Sequence, residues 1–200
     1  MTRSNKKSGA MSATEFMAQL QKDQEYQSKK TAFDAEHQAR VSLFRKAEQP
    51  IVEDLRGVGL DVKSVWDLVN TADPYPAALP VLFEHLERGG YPDRVLEGLG
   101  RALAVKPAQI YWPRLRELYL RATGPDEEQG LAVALAASAT PENLNALLDL
   151  LNETTRGSSR ILFLSTIVRV GGDIGRNAVE SLRHDPLFGK EARALLKQRS

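Results

Sequence analysis

The chain has 200 residues, 42% hydrophobic and 26% charged, with 27 basic against 26 acidic side chains and no cysteine. That balance excludes disorder throughout and suits one or two globular units, while the missing thiols exclude a disulfide framework and a thiolate metal site. A net charge of +1 argues against a dedicated nucleic-acid binder, whose affinity comes from neutralising several phosphates at once.

Residues 1–11 are polar, small and basic through Arg3, Lys6 and Lys7, and read as a disordered tail. Residues 12–43 read as a helical arm. Ser12-Ala13-Thr14-Glu15 has the form of a capping box, and no proline or glycine occurs between Ser12 and Gln49, so one long helix or two collinear ones is expected. Phe16, Met17 and Leu20 make a short apolar patch that either folds back on the body or docks another chain. Residues 21–40 are polar nearly all round, broken by Tyr26 and Phe33, and such a helix packs weakly.

Residues 44–72 read as a capping helix pair. Phe44, Ala47, Ile51 and Leu55 line the first helix, which ends at Gly57 or Gly59. Asp61 is the expected N-cap of the second, in which Val62, Val65, Trp66 and Val69 fall at i, i+3, i+4 and i+7. Trp66 is read as a core side chain.

Residues 73–107 predict two antiparallel helices joined by a tight turn. Leu79, Leu82, Phe83 and Leu86 share one face of the first helix, Gly89-Gly90 stops it, and Val95, Leu96, Leu99, Ala102 and Leu103 share one face of the second. The pattern recurs. Leu115, Leu118, Tyr119 and Ala122 repeat the first stripe 36 residues on, Gly124-Pro125-Asp126 repeats the turn, and Leu135 answers Leu99. A third copy starts at Thr140-Pro141-Glu142, with either Leu144, Leu147, Leu148 and Leu151 or Leu147, Leu150 and Leu151 as its stripe. Its second helix is expected over residues 159–170, ended by Gly171-Gly172. A shortened fourth copy carries Ile174, Ala178, Val179 and Leu182, then Ala192, Leu195 and Leu196.

Ala78-Leu79-Pro80-Val81-Leu82 and Asp93-Arg94-Val95-Leu96 resemble the two helices of a HEAT-type repeat, as in bacterial HEAT-repeat proteins, and the resemblance covers roughly residues 73–197. One departure is that Leu96 stands where such families carry a basic residue after the valine. The resemblance implies an all-α fold, a HEAT-like α-solenoid over residues 73–200 whose second helices line a concave binding face. It implies no particular ligand.

No acid/base or metal constellation emerges from the residues. His37, His85 and His184 lie on different predicted helices without a second ligand at spacing. Ser158-Ser159 and Ser165-Thr166 lack a local partner, and Asp126, Glu127 and Glu128 are explained by the helix dipole. Gly98-Leu99-Gly100 lies inside a helix and is no phosphate loop. The expectations are no catalytic residue, no cofactor and no metal.

The candidate partner-binding residues are Arg94, Glu97, Gly98 and Arg101 on the founding second helix, and Arg169 on the corresponding helix two copies later. Their bland reading is a solvated face of i, i+3 and i+4 pairs. The functional one is a rim of arginines beside an apolar floor, met by acidic groups of a partner. Gly98 serves either close helix packing or the approach of a partner's backbone. The leading expectation is a non-catalytic scaffold or adaptor that holds a protein or peptide; the alternative is a nucleic-acid-binding HEAT-like protein. No run approaches the roughly 18 to 20 apolar residues that a membrane helix requires, so a cytoplasmic location is expected.

Overall fold

The apolar stripes become helices. The computed structural model describes residues 12–14, 17, 19 and 23–197, and it divides into two units, Met1–Leu43 and Phe44–Ser200. Among the described residues there are nine α-helices and no strand: α1 (Gln24–Gly57), α2 (Trp66–Val69), α3 (Ala78–Arg88), α4 (Asp93–Ala102), α5 (Trp112–Arg121), α6 (Pro125–Ser138), α7 (Leu144–Asn152), α8 (Phe163–Ser181) and α9 (Gly189–Lys197). None of them is long and apolar enough to cross a membrane.

In the first unit, Asp23 caps α1 by accepting the Tyr26 N–H at 3.0 Å. Tyr26, Phe33 and Leu43 are exposed, and the His37 ring stacks on Phe33 with centroids 6.4 Å apart. Lys29 with Glu25 and Arg40 with Glu36 form i, i+4 pairs, each contributing about 0.3–0.5 kcal/mol. The glutamate of the expected capping box, and Phe16 and Leu20 of the apolar patch, lie outside the described residues.

The second unit holds the core. Ile51, Val52 and Leu55 on the last turns of α1 are buried, and α1 ends at Gly57. The helix expected from Asp61 is not formed as such: residues 61–65 make bends and a turn, and only Trp66–Val69 is helical. The reason is local. The Asp67 carboxylate accepts the N–H groups of Lys63 and Ser64 at 2.8 and 3.2 Å, so the cap belongs to Asp67. Val62, Val65 and Leu68 are buried nonetheless, whereas Trp66 is half-buried and not a core residue.

Helices α3 and α4 pack as a hairpin, as do α5 with α6 and α7 with α8, and α9 packs on α8. Leu82, Leu99, Leu115, Tyr119, Leu131, Leu135 and Leu147 are fully buried between them. In α7 the buried set is Leu147, Leu150 and Leu151, with Leu144 and Leu148 only half-buried, which resolves the two registers. The expected stop at Gly171-Gly172 is present: the helical geometry breaks at Gly172, and α8 is two helices joined end to end there. Gly172, at φ 53°, kinks α8, and the chain resumes helical geometry at once. Beyond the kink Val179 is buried, but Ile174, expected on the apolar stripe, is 67% exposed.

The tightest joint is between α4 and α6. A β-carbon at Gly100 would stand 2.5 Å from the Gly130 carbonyl carbon, and one at Gly130 would stand 2.6 Å from the Glu97 carbonyl oxygen. The two second helices therefore meet backbone to backbone. That contact, which outweighs the roughly 1 kcal/mol cost of glycine in a helix, explains Gly100.

Candidate functional site

Arg94, Glu97, Gly98 and Arg101 share one face of α4, as their spacing requires. Their setting is not a solvated one. Glu97 is only 3% exposed; Arg101 donates from Nε to its Oε1 at 2.7 Å, and Arg94 donates from Nη1 to its Oε2. The two guanidinium groups thus clamp one buried carboxylate. Arg94 also lies over the Trp66 ring, 4.2 Å from its centroid. Gly98 lies under the same indole, for a β-carbon there would come within 3.0 Å of the Trp66 Nε1. The space at Gly98 is filled from within the chain, by a half-buried aromatic that carries an arginine on its ring.

Arg169 is not isolated. Its guanidinium donates to the carbonyls of Ala136 at 2.9 Å and Ala139 at 3.5 Å, while the Thr166 hydroxyl donates to Ala136 O at 3.1 Å. These groups close the C-terminal end of α6, where carbonyls lack intrahelical donors and the dipole favours a cation. The sequence reading missed this wider system of caps. The Asp93 carboxylate, at the start of α4, accepts the N–H groups of Asp126 and Glu127 at 3.0 and 2.8 Å and so caps α6. One pair on, Glu128 accepts the Gly157 N–H at 3.0 Å and the Ser159 hydroxyl, at the entrance to α8. Arg156 donates to the Tyr119 and Ala122 carbonyls at the end of α5, and Arg160 to Leu151 O at the end of α7.

No protein-family model matches the chain, and no curated protein or solved structure does.

What remains unfilled lies at the other end of α4. A recess of about 670 Å³ opens between α2, the 71–76 loop, the end of α4 and α6, lined by Leu68, Val69, Leu79, Ala104, Val105 and Val133 among others, with Asp73 and Arg101 as its charged groups. A second recess of about 430 Å³ continues it past Val133, bounded by Lys106, Ala136, Ala137, Leu162, Thr166 and Arg169. The two adjoin at Val133, which lines both; together they are termed the groove, and Arg101 of α4, Val133 of α6 and Thr166 and Arg169 of α8 line it. Of the predicted residues, Arg101 and Arg169 border this groove. Arg94, Glu97 and Gly98 belong to the cluster around Trp66.

The charged groups are partly tuned by burial. Asp126 is held above the ordinary carboxylate range, first by desolvation and then by the neighbouring carboxylates of Glu97 and Asp93. Tyr119 is pushed up to about 12, mainly by burial, and its hydroxyl lies 2.8 Å from the Ser159 Oγ. Ser159, read as lacking a partner, in fact joins Tyr119 to the Glu128 carboxylate. It is 4% exposed, and the contact fixes the entrance of α8.

His85 is packed inside the protein, between Asp54, whose Oδ2 lies 2.9 Å from Nε2, and the Tyr91 hydroxyl, 2.6 Å from Nδ1. A carboxylate can only accept, so Nε2 carries a proton and, on a neutral ring, Tyr91 donates to Nδ1. The signal was long-range: Asp54 lies on α1, 31 residues away, where no spacing rule reaches. Among the described residues no group of three or more His, Asp or Glu side chains could hold a metal ion.

Proposed function

We propose that the protein is a non-catalytic interaction module, a short HEAT-like α-solenoid that holds a protein or peptide partner on the face formed by its second helices, α4, α6 and α8. The observation that carries this reading is the groove, which is floored by aliphatic side chains, edged by Arg101, Lys106 and Arg169, and filled by no side chain of the chain itself. Recesses of roughly 300–1,000 Å³ lined mainly by apolar groups with a few placed polar ones are the usual form of a binding site. A chain without cysteine asks for no oxidising compartment, and we place its work in the cytoplasm.

Replacing Arg94, Arg101 and Arg169 together with glutamate would be a poor test. It surrounds the buried Glu97 with carboxylates and uncaps α6, so loss of binding would follow from unfolding. Val133 and Lys106 are the cleaner positions, because Val133 is half-buried at the join of the two recesses and Lys106 is exposed. Tagged wild-type protein and Val133→Glu, matched by circular dichroism, should differ in what they retain from host extract. A partner retained equally by both would overturn the reading. A partner lost from both when the ionic strength rises about fourfold would point to phosphate contacts and nucleic acid instead.

A further inference from the structure

The groove is polar in the lengthwise sense. Its larger recess is mainly aliphatic, and the one guanidinium there, Arg101, is already bonded to Glu97, while Asp73 adds a carboxylate to its lining. Its smaller recess carries Lys106 and Arg169 and no carboxylate. Lys106 is exposed and forms no ion pair among the described residues. Arg169 bonds only to neutral carbonyls, and the end of α6 that it caps contributes about half a negative charge, so this end keeps a clear positive excess.

We propose that the occupant is a peptide segment with an aliphatic anchor beside a run of carboxylates, bound with the anchor in the larger recess and the carboxylates over Lys106 and Arg169. This rests on the groove being the binding face. The anchor supplies apolar burial against Leu68, Val69 and Val133; the carboxylates set direction, because the reversed segment would bring them to Asp73 and leave aliphatic groups over two cations. An acidic segment without an anchor gains little at an exposed lysine, and an anchor without acids has no preferred direction.

The test uses the full chain and a phage-displayed library of random dodecapeptides, followed by fluorescence anisotropy of the strongest selected peptide on wild type, Lys106→Glu and Val133→Glu. The expected result is enrichment of sequences with leucine, isoleucine or valine next to two or more acids. Lys106→Glu should weaken the selected peptide about tenfold at low salt, and a glutamine-for-glutamate version of the peptide should not feel that substitution. Enriched peptides without acids, or an unchanged affinity for Lys106→Glu, overturn this proposal while leaving the groove as the binding face, provided Val133→Glu abolishes binding. Peptides that bind Val133→Glu as well as wild type, or no enrichment at all, overturn the groove reading itself.

Discussion

The two ends of the α4–α6 face differ in what their charges do. From the N-terminal end, Asp93 caps α6, Asp126 lies near the carboxylates of Asp93 and Glu97, and Glu97 is clamped by Arg94 and, from the last turn of α4, by Arg101. At the C-terminal end Lys106 and Arg169 border an apolar groove without any carboxylate in the smaller recess. The first arrangement satisfies itself, and a partner there would have to displace bonds already made. The second leaves positive charge beside unfilled apolar space. A cluster of charged residues on a helix is thus a poor guide to a binding site until it is known which of its members are already used.

The comparison can be broken at several points. The largest effect is expected where the two helices touch: Gly100→Ala or Gly130→Ala should cost about 3 kcal/mol despite alanine's better helix propensity, because the colliding atoms are backbone. Urea unfolding measures this, and a stabilised alanine variant would show that the helices separate freely.

Next, Glu97→Ala should cost about 2 kcal/mol, since it leaves two guanidinium groups facing each other, one of them 29% exposed. Lys106→Ala and Val133→Ala, at the other end, should stay within about 0.5 kcal/mol of wild type. Equal losses at both ends would erase the distinction between a structural and a free end. Asp93→Ala, which removes a cap but no buried pair, should cost about 1 kcal/mol, visible as a lower melting temperature.

The smallest effect concerns Glu48, outside this face. It is buried on α1 with no partner for Oε2, and desolvation above all holds it above the usual carboxylate range, against the lowering influence of Ser64 and the Val65 backbone. A folded-state value raised above the unfolded one means the folded protein binds the proton more tightly. The penalty is therefore absent below the ordinary value of 4.5, grows as pH rises from there, and is complete above the folded-state value. Glu48→Gln should raise the melting temperature slightly at pH 7 and leave it unchanged at pH 4. A variant less stable than wild type at both would mean that the carboxylate holds a bond that glutamine cannot replace.

The helices themselves were legible because burial imposes its period on the sequence. The stripes at Leu79, Leu82 and Leu86, at Leu115 and Tyr119, and at Leu147 and Leu151 are all buried. The outcome was harder to read wherever a single side chain chose between neighbours. Asp67 rather than Asp61 caps the turn before α2, and a further helix starts directly after the expected break at Gly172, which nothing in the stripe announced. Of the site residues, the α4 face could be read from its i, i+3 and i+4 spacing. That Glu97 is buried could not be, because its neighbours include Gly130 of α6, 33 residues on, besides the two arginines of its own helix. The roles of Asp93, Glu128 and Arg169 rest on partners about 30 residues away, beyond any helical period.

The caps have a consequence for how the chain acquires its structure. Asp93 on α4 closes the start of α6, and Glu128 on α6 closes the entrance to α8, so the second helix of each of these pairs starts on an acid supplied by the pair before it. Arg169 answers backwards, closing the end of α6 from α8. Ordering is therefore directional, as in a stack where each unit is templated by its neighbour. Chain leaving the ribosome would meet these acids in the order in which it needs them, whereas a fragment beginning at Pro125 would expose the start of α6 with nothing to close it.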